Sequence, residues 1–274
     1  MIKTLRVATI LLVFLIFSSE ICATNNMPVG GRSAGLAHTS TTLSDVWSAH
    51  QNQAGLAFLE KAEAGLYYEN RFLVPELSLQ AAAVAIPFNN GAFGISYSRF
   101  GFSLYNENKV GLAYAQKFSE KLAASVQINY MHTFIAENYG NKGFLTGEVG
   151  LLYKINNEIT VGAHLFNPTR TKLADFDNER IPTIMKLGLQ YDFSKSLFIA
   201  TEFFQDIGHD MALKFGLEYK VVEKVYLRGG VSTNPWYNAF GIGLHLGDFK
   251  VDISSSFHSV LGYSPQVSLN YRFN

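Results

Sequence analysis

The sequence predicts an all-β fold: a transmembrane antiparallel β-barrel of about 14 strands. Three observations lead to this prediction. Apolar and polar residues alternate through most of the chain, short and long connections follow each other in turn, and aromatic residues gather beside the short connections. The alternation has no exception near the end, where Val267, Leu269 and Tyr271 are separated by polar residues.

The first 23 residues have the layout of a secretory signal peptide. Lys3 and Arg6 precede an apolar run over residues 7–17, and we expect cleavage near Ala23. The run is too short for a spanning helix, and no longer apolar run follows it. The only cysteine, Cys22, falls in this segment, so we expect a mature chain without disulfides or a cysteine-based metal or redox site.

The number of basic residues equals the number of acidic residues, and this bears on which kinds of partner the protein can bind. The chain has 22 Lys and Arg against 22 Asp and Glu. Because nucleic-acid binding depends on a basic surface, this balance argues against a nucleic-acid partner.

Residues 24–63 do not have the strand pattern, and we treat them as an N-terminal periplasmic segment. Small residues form a turn over 30–35, and residues 41–44 offer N-cap chemistry before Asp45. We expect short helices here at most, with a second short apolar piece over 54–59. The predicted organisation is a signal peptide over 1–23, this segment, and a barrel over 64–274.

After residue 63 the pattern is that of strands, each bounded by turn residues. The expected strands lie near residues 64–71, 76–87, 92–101, 109–118, 121–134, 144–155, 158–166, 183–193, 196–204, 211–221, 224–231, 239–246, 249–257 and 266–273. Their number is even, and most are long enough to cross a bilayer at a tilt.

The connections favour a membrane barrel over a secreted β-sandwich or a soluble lipid-binding barrel. Those after even-numbered strands are tight hairpins, whereas those after odd-numbered strands are mostly longer, as over 135–143 and 167–182. Aromatic residues gather at the short-turn side: Phe88, Phe93, Phe118, Tyr153, Phe193, Tyr219, Phe249 and Phe273. This asymmetry is typical of bacterial outer-membrane barrels with both termini in the periplasm, in contact with outer-membrane lipid.

The polar face of the strands carries charges of both signs. The inward charges include Glu148, Lys186, Glu202, Lys214, Glu218, Arg228, Asp252 and Arg272. They either form a wall that selects what passes or pair with one another and with the N-terminal segment. We favour pairing, because each unpaired buried charge would cost several kcal/mol. Inward glycines either leave room for backbone against the wall or ease its curvature, and both interpretations stay open.

The N-terminal segment resembles the start of the PorV/PorQ-like outer-membrane proteins of Bacteroidetes, within the FadL-type superfamily. That family opens with a Gly-x-Arg-x-x-Gly stretch, a short helix and an Asn-Pro-Ala-Gly-Leu element, and here Gln53 stands in the place of the proline. The resemblance implies a plug in the lumen. The residues that carry it are Gly30, Arg32, Gly35, Asp45, Asn52, Ala54 and Gly55.

The same resemblance implies a non-enzymatic protein associated with type IX secretion as a carrier, tether or scaffold. The alternatives are a FadL-like passive channel for hydrophobic small molecules and a plain porin or structural barrel. Secretion-system partners would need an exposed surface, for which Trp236 and Tyr237 in the loop 233–238 are candidates. A hydrophobic channel would instead need an apolar pocket in the upper barrel and a lateral gap in the wall.

We found no motif that predicts catalysis, a cofactor or a metal. His258 beside Ser259 lacks the surroundings of a catalytic pair, and His209 with Asp210 is equally weak. Oxygen donors alternate at Asp175, Asp177 and Glu179, but the glycine and bidentate carboxylate of a calcium hand are missing. A solvated acidic loop is the favoured interpretation.

Overall fold

The computed structural model describes residues 26–136, 140–171 and 180–274. The predicted signal peptide and the acidic loop positions Asp175, Asp177 and Glu179 lie outside these ranges. Within them, no helix is both long and apolar enough to cross a membrane.

Within the described ranges the chain forms fourteen strands that close into one antiparallel barrel, which confirms the predicted fold class. They are β1 Glu63–Asn70, β2 Ser78–Phe88, β3 Gly91–Gly101, β4 Tyr105–Lys117, β5 Leu122–Ile135, β6 Gly140–Lys154, β7 Ile159–Phe166, β8 Ile184–Ser194, β9 Leu197–Asp206, β10 Ala212–Val222, β11 Val225–Thr233, β12 Trp236–Leu246, β13 Phe249–His258 and β14 Gly262–Arg272. Each strand pairs with the next in sequence, and β1 pairs with β14.

Several strands extend further toward the long-loop end than the pattern predicts. β4 begins at Tyr105 rather than near residue 109, and β12 begins at Trp236, so Trp236 and Tyr237 belong to a strand and not to a loop. β14 begins at Gly262, before Pro265. Proline has no backbone N–H to donate to a neighbouring strand, so the sequence pattern predicts that β14 begins only after Pro265.

The outer surface of the barrel is apolar and carries aromatic side chains at the short-turn end. All eight aromatic residues predicted there are exposed, from Phe88 to Phe273. Neighbouring rings pack together, as at Tyr191 and Phe193, whose centroids are 4.6 Å apart. Such a surface matches the acyl chains and headgroup region of a bilayer.

Residues 26–62, here called the lumenal segment, lie inside the barrel. The segment contains one helical turn, α1 (Gly31–Gly35), and two 3-10 helices, Val46–His50 and Gln53–Phe58. Two further 3-10 helices, Arg71–Leu73 and Pro75–Leu77, occupy the β1–β2 connection.

An inward row of alanines on β2 makes room for the two lumenal 3-10 helices. Ala81, Ala83 and Ala85 face inward and belong to one buried apolar cluster with Trp47 and Leu56. The indole N–H of Trp47 donates to Asn270 Oδ1 at 2.9 Å, which satisfies the one polar atom of this large side chain. The cluster fixes the second half of the lumenal segment against β1–β5.

The lumen as candidate functional site

Inside the barrel, the predicted inward charges form three clusters, and each includes the lumenal segment. In the first, Arg228 Nε donates to Glu218 Oε2 at 2.6 Å and Arg228 Nη1 to Asp252 Oδ1 at 2.6 Å. Arg32 of α1 donates to both oxygens of Glu218, at 2.9 and 2.8 Å. Asp252 also accepts from Ser268 Oγ at 3.2 Å. The charges therefore compensate one another in the buried interior.

The second cluster surrounds Glu148, which is 1 % exposed. One carboxylate oxygen accepts from Lys109 at 2.7 Å, and the other accepts from Gln53 at 2.7 Å and lies 2.8 Å from His164 Nε2. Asn129 adds a bond of 2.8 Å. Gln53, which replaces the family's proline, thus joins the second half of the lumenal segment to the wall.

The third cluster centres on Glu202 of β9. Its Oε2 accepts from Ser40 N at 2.9 Å, from Thr41 N at 3.0 Å and from Thr41 Oγ1 at 2.6 Å. Its Oε1 lies 3.5 Å from Lys214 Nζ. One carboxylate therefore holds the backbone of the lumenal segment directly.

Two of the predicted inward charges do not join these clusters. Arg272 occupies an inward position in the alternation of β14. It is exposed because it lies at the end of the strand, so it is not a buried lumen charge. Lys186 of β8 is 5 % exposed. Its ammonium has neither a hydrogen bond nor an ion pair to any residue in the described part of the chain.

Inward glycines let the backbone of the lumenal segment lie against the wall, one of the two interpretations left open above. A Cβ at Gly162 would come within 2.4 Å of Thr41 O, and one at Gly230 within 2.4 Å of Leu36 C. Gly147, however, is on the outward face, where a Cβ would meet only Gln127 O, at 3.9 Å.

The motif glycines of the lumenal segment occupy tight positions. Gly30 has φ 101°, and a Cβ there would come within 2.7 Å of Trp47 Cγ. A Cβ at Gly35 would lie 3.0 Å from Gly241 Cα, and one at Gly55 only 2.4 Å from Leu43 O. Each position therefore excludes a larger residue.

The polar motif residues cap the two 3-10 helices. Asp45 accepts from Trp47 N at 2.9 Å, and Asn52 accepts from Ala54 N at 3.3 Å. Burial raises the pKa of Asp45, and Arg32, 3.5 Å away, acts in the opposite direction. These contacts give the residues a positioning role within the lumen.

The two candidate interaction residues lie on opposite sides of the wall. Trp236 is 56 % exposed. Tyr237 instead donates its hydroxyl hydrogen to Ala37 O at 3.0 Å, so it contacts the lumenal segment.

A cavity of about 670 Å³ lies in the upper lumen, at the long-loop end of the barrel. Ile184, Phe204 and Tyr237 provide apolar surface. The charged residues of the lining have both signs: Arg71, Lys186 and Lys214 are cationic, and Glu69, Asp206 and Asp210 are anionic. The floor includes His38 of the lumenal segment, whose pKa is lowered well below its ordinary value by burial and by nearby cations. The cavity therefore combines apolar surface with charges of both signs, among which Lys186 has no direct partner in the described chain.

An apolar cluster beside this cavity was not foreseen from the sequence. Met131, Phe144, Phe166, Ile181 and Ile184 are buried together, and Phe204 packs against them. On their strands these residues alternate with outward residues, at the same inward positions as polar neighbours such as Thr146 and His164. This alternation could have placed them in the lumen from the sequence. The upper lumen is thus less polar than the charge pattern indicates.

A second cavity, of about 420 Å³, opens at the short-turn end. Asp192, Phe198, Glu218 and Tyr226 contribute to its lining. The lumenal segment lies between the two cavities.

The ladder of the wall has two register shifts, at Asp192/Ser194 and at Lys220/Val222, both near the short-turn end. Between β7 and β8 the paired residues follow without interruption. The pairing of β6 with β7 runs from Glu148 to Lys154, because β7 ends at Phe166, opposite Glu148. Toward the long-loop end, β6 therefore continues beyond its pairing with β7.

Histidines and carboxylates do not assemble a metal site in the described part of the chain, where no group of three or more such ligands occurs. His258 Nδ1 accepts from the backbone N–H groups of Val260 and Leu261, at 3.2 Å each. His209 lies 3.3 Å from Asp206. These contacts order the loops.

No protein-family model and no curated protein matches the chain. Solved structures match its fold. The toluene transporter TbuX of Ralstonia pickettii has 12% identity and a TM-score of 0.69, over 89% of this chain and 98% of that one. A FadL homologue of Pseudomonas aeruginosa has 14% identity and a TM-score of 0.69, over 92% and 100%. The toluene transporter TodX of P. putida has 13% identity and a TM-score of 0.65, over 88% and 98%.

At these identities the likeness establishes a shared fold, that of FadL-type barrels. It gives no support to the PorV/PorQ assignment or to type IX secretion.

Proposed function

We propose that this protein is a non-enzymatic outer-membrane barrel that admits hydrophobic small molecules bearing an acidic group into its upper lumen. Both termini face the periplasm in this proposal, and the long loops face outward. Residues 24–63 act as the plug.

The location is supported by the apolar outer surface, the aromatic residues at the short-turn end, and the fold shared with outer-membrane barrels. Uptake is supported by the names of two of these structures, which are toluene transporters. Because the known structures lend no support to a secretion role, uptake is the function that we propose.

The proposal that the ligand bears an acidic group rests on the position of Lys186. Lys186 lines the upper cavity and is 5 % exposed, and its ammonium has no hydrogen-bonding partner in the part of the chain that the structure describes. Glu202 and Glu148 attract this ammonium without forming an ion pair with it. A bound anion would give the buried cation the direct partner that it lacks. Ile184 and Phe204 line the same cavity and suit the apolar body of such a ligand.

The test compares octanoate with 1-octanol, which share a chain length and differ in charge. Binding is measured by equilibrium dialysis against the full mature protein in lipid nanodiscs, with empty nanodiscs subtracted. The variants are Lys186→Met and, as a control, Lys224→Met at an exposed turn.

Lys186→Met should weaken octanoate binding about tenfold or more, since a charged hydrogen bond contributes roughly 1.5–3 kcal/mol. Binding of 1-octanol should not change, and Lys224→Met should behave as the wild type. Equal octanoate affinity in Lys186→Met and wild type would refute the proposal.

A further inference from the structure

We infer that the upper and lower cavities are the two ends of one axial passage along β8–β11, closed by residues 36–42 of the lumenal segment. We call these residues the strap. Glu202 holds the strap in its closed position. The inference goes beyond the proposed uptake function and does not depend on which ligand the upper cavity takes.

The two cavities use the same four strands. On β8 and β9, Lys186 and Phe204 line the upper cavity, and Asp192 and Phe198 line the lower one. On β10, Lys214 lines the upper cavity and Glu218 the lower, so Gly216 is the only inward residue between them. Since alternate residues of a strand are about 7 Å apart, the cavities are separated by a short distance along the wall.

On β11 the same arrangement holds. Ser232 lines the upper cavity and Tyr226 the lower, with Gly230 and Arg228 as the inward residues between them.

Small residues line the wall between the cavities, and the strap fills the space that they leave. Gly188 and Gly216 lie behind the strap: Thr41 Cβ is 3.0 Å from a Cβ placed at Gly188, and Leu36 Cβ is 2.9 Å from one placed at Gly216. Ala200 of β9 packs with Leu36 in one buried cluster. If the strap moved, the space in front of these residues would join the two cavities.

The contacts that hold the strap are few and centre on one carboxylate. Glu202 accepts three of its hydrogen bonds, from Ser40 N, Thr41 N and Thr41 Oγ1. Thr42 Oγ1 adds a bond of 3.2 Å to Gln190, Ala37 O accepts from Tyr237, and Thr41 O accepts from Asn52 Nδ2 at 2.7 Å. Loss of the Glu202 contacts would therefore remove the bonds that hold residues 40 and 41 to β9.

The strap also contains backbone strain. Ala37 and His38 have φ 53° and 57°, in the left-handed region that residues with a side chain rarely adopt. Release of the strap would relieve this strain.

The second half of the lumenal segment has separate anchors. Trp47 donates to Asn270, and Gln53 donates to Glu148. The bond from Asn52 Nδ2 to Thr41 O joins the strap to this half. Once that bond opens, the separate anchors keep residues 46–58 docked while the strap moves.

Conductance of the full mature protein in planar bilayers with KCl tests the passage. Glu202→Gln keeps the shape of the side chain and removes its charge. We expect about a tenfold rise in open probability over wild type, the effect of weakening one charge-assisted contact. Thr41→Val removes only the hydroxyl donor and should give a smaller rise in open probability. This variant replaces Glu202→Gln in the test if Glu202→Gln does not fold.

Two engineered disulfides in the Glu202→Gln background locate the moving part. The chain's only cysteine, Cys22, precedes the described residues. Thr41→Cys with Gly188→Cys crosslinks the strap. The Cβ atoms would be 3.0 Å apart, so residue 41 must shift outward by about 0.5 Å to reach the spacing of a disulfide. Ala49→Cys with Gly94→Cys is the matched control in the second half, with the Cβ atoms 3.5 Å apart, within the range for a disulfide.

Oxidation of the strap pair should abolish the added conductance, and reduction should restore it, whereas the control pair should have no effect. Three results would each overturn the inference: wild-type conductance in both Glu202→Gln and Thr41→Val, conductance that survives the strap crosslink, or conductance abolished by the Ala49–Gly94 crosslink. The last result would mean that the whole segment leaves the lumen.

Discussion

Arg32 of the lumenal segment donates two parallel hydrogen bonds to Glu218 of β10, at 2.9 and 2.8 Å, although the residues are 186 positions apart in sequence. The geometry is that of a guanidinium and a carboxylate in bidentate contact. Glu218 also accepts from Arg228, which in turn bonds Asp252. Arg32 of the lumenal segment and these three wall charges therefore form a single network.

Arg32→Met should loosen α1 within the barrel. The variant removes both bonds to Glu218 while Arg228 keeps that carboxylate paired, so we expect a loss of about 2 kcal/mol in docking of the segment. Hydrogen exchange with mass spectrometry should report faster exchange over residues 31–42. Lys61→Met, at an exposed lysine that contacts only Asn274, is the control. Unchanged exchange in Arg32→Met would show that the network does not hold the segment.

The barrel could be predicted from the sequence because side-chain alternation is a local property of a strand. Val267, Leu269 and Tyr271 reveal their outward face within five residues, and no partner strand is needed to read it. Strand ends are harder, since they depend on loops. Trp236 and Tyr237 were placed in a loop but begin β12.

The arrangement of the lumen could not be predicted, because it depends on which strands closure brings together. Parity placed Glu202 and Lys186 on the inner face, but only the register shows that Glu202 holds the backbone of the strap and that Lys186 has no partner in the described chain. Arg272 has inward parity too, yet it reaches the rim because β14 ends there. Alternation along a strand shows which side of the wall a residue faces, but not how far from the rim of the barrel it lies.

Gly230→Ala should displace Leu36, whereas Gly229→Ala should not. A Cβ at Gly230 would lie 2.4 Å from Leu36 C, and one at Gly229 has nothing within 4 Å. Overpacking of this kind costs roughly 1–3 kcal/mol, so we expect the strap to lose protection while the barrel stays folded. Hydrogen exchange over residues 36–42, with heat-modifiable gel mobility to monitor the barrel, checks this. Equal exchange in the two adjacent variants would contradict the packing described here.

Gln53→Pro separates the role of the side chain from that of the turn. Gln53 begins a 3-10 helix and donates to Glu148 at 2.7 Å. Proline suits the first position of a helix, and Asn52 before it is already extended. Loss of the bond to the carboxylate should weaken docking of residues 53–58 by roughly 1.5–3 kcal/mol.

Gln53→Ala is the matched comparison, because it removes the same bond without fixing the backbone. Hydrogen exchange over residues 53–58 should rise by a similar factor in both variants. A rise confined to the proline variant would instead assign the effect to the turn.

His50 should make docking of the lumenal segment sensitive to acid. Burial, reinforced by Lys109, lowers its pKa from 6.5 to about 4, and the ring lies 3.1 Å from Ala82 O, to which a neutral imidazole donates. The docked state therefore binds fewer protons than the released state. Its stabilisation is complete above pH 6.5 and is lost as the pH falls toward 4. The full difference is about 3 kcal/mol.

Hydrogen exchange over residues 46–50, corrected for the intrinsic effect of pH, should therefore show less protection at pH 4 than at pH 7. His50→Asn should flatten this dependence, because asparagine keeps a donor and does not titrate. His209→Asn, at a half-exposed loop histidine beside Asp206, should retain it. A wild-type segment with equal protection at both pH values would show that His50 does not control docking.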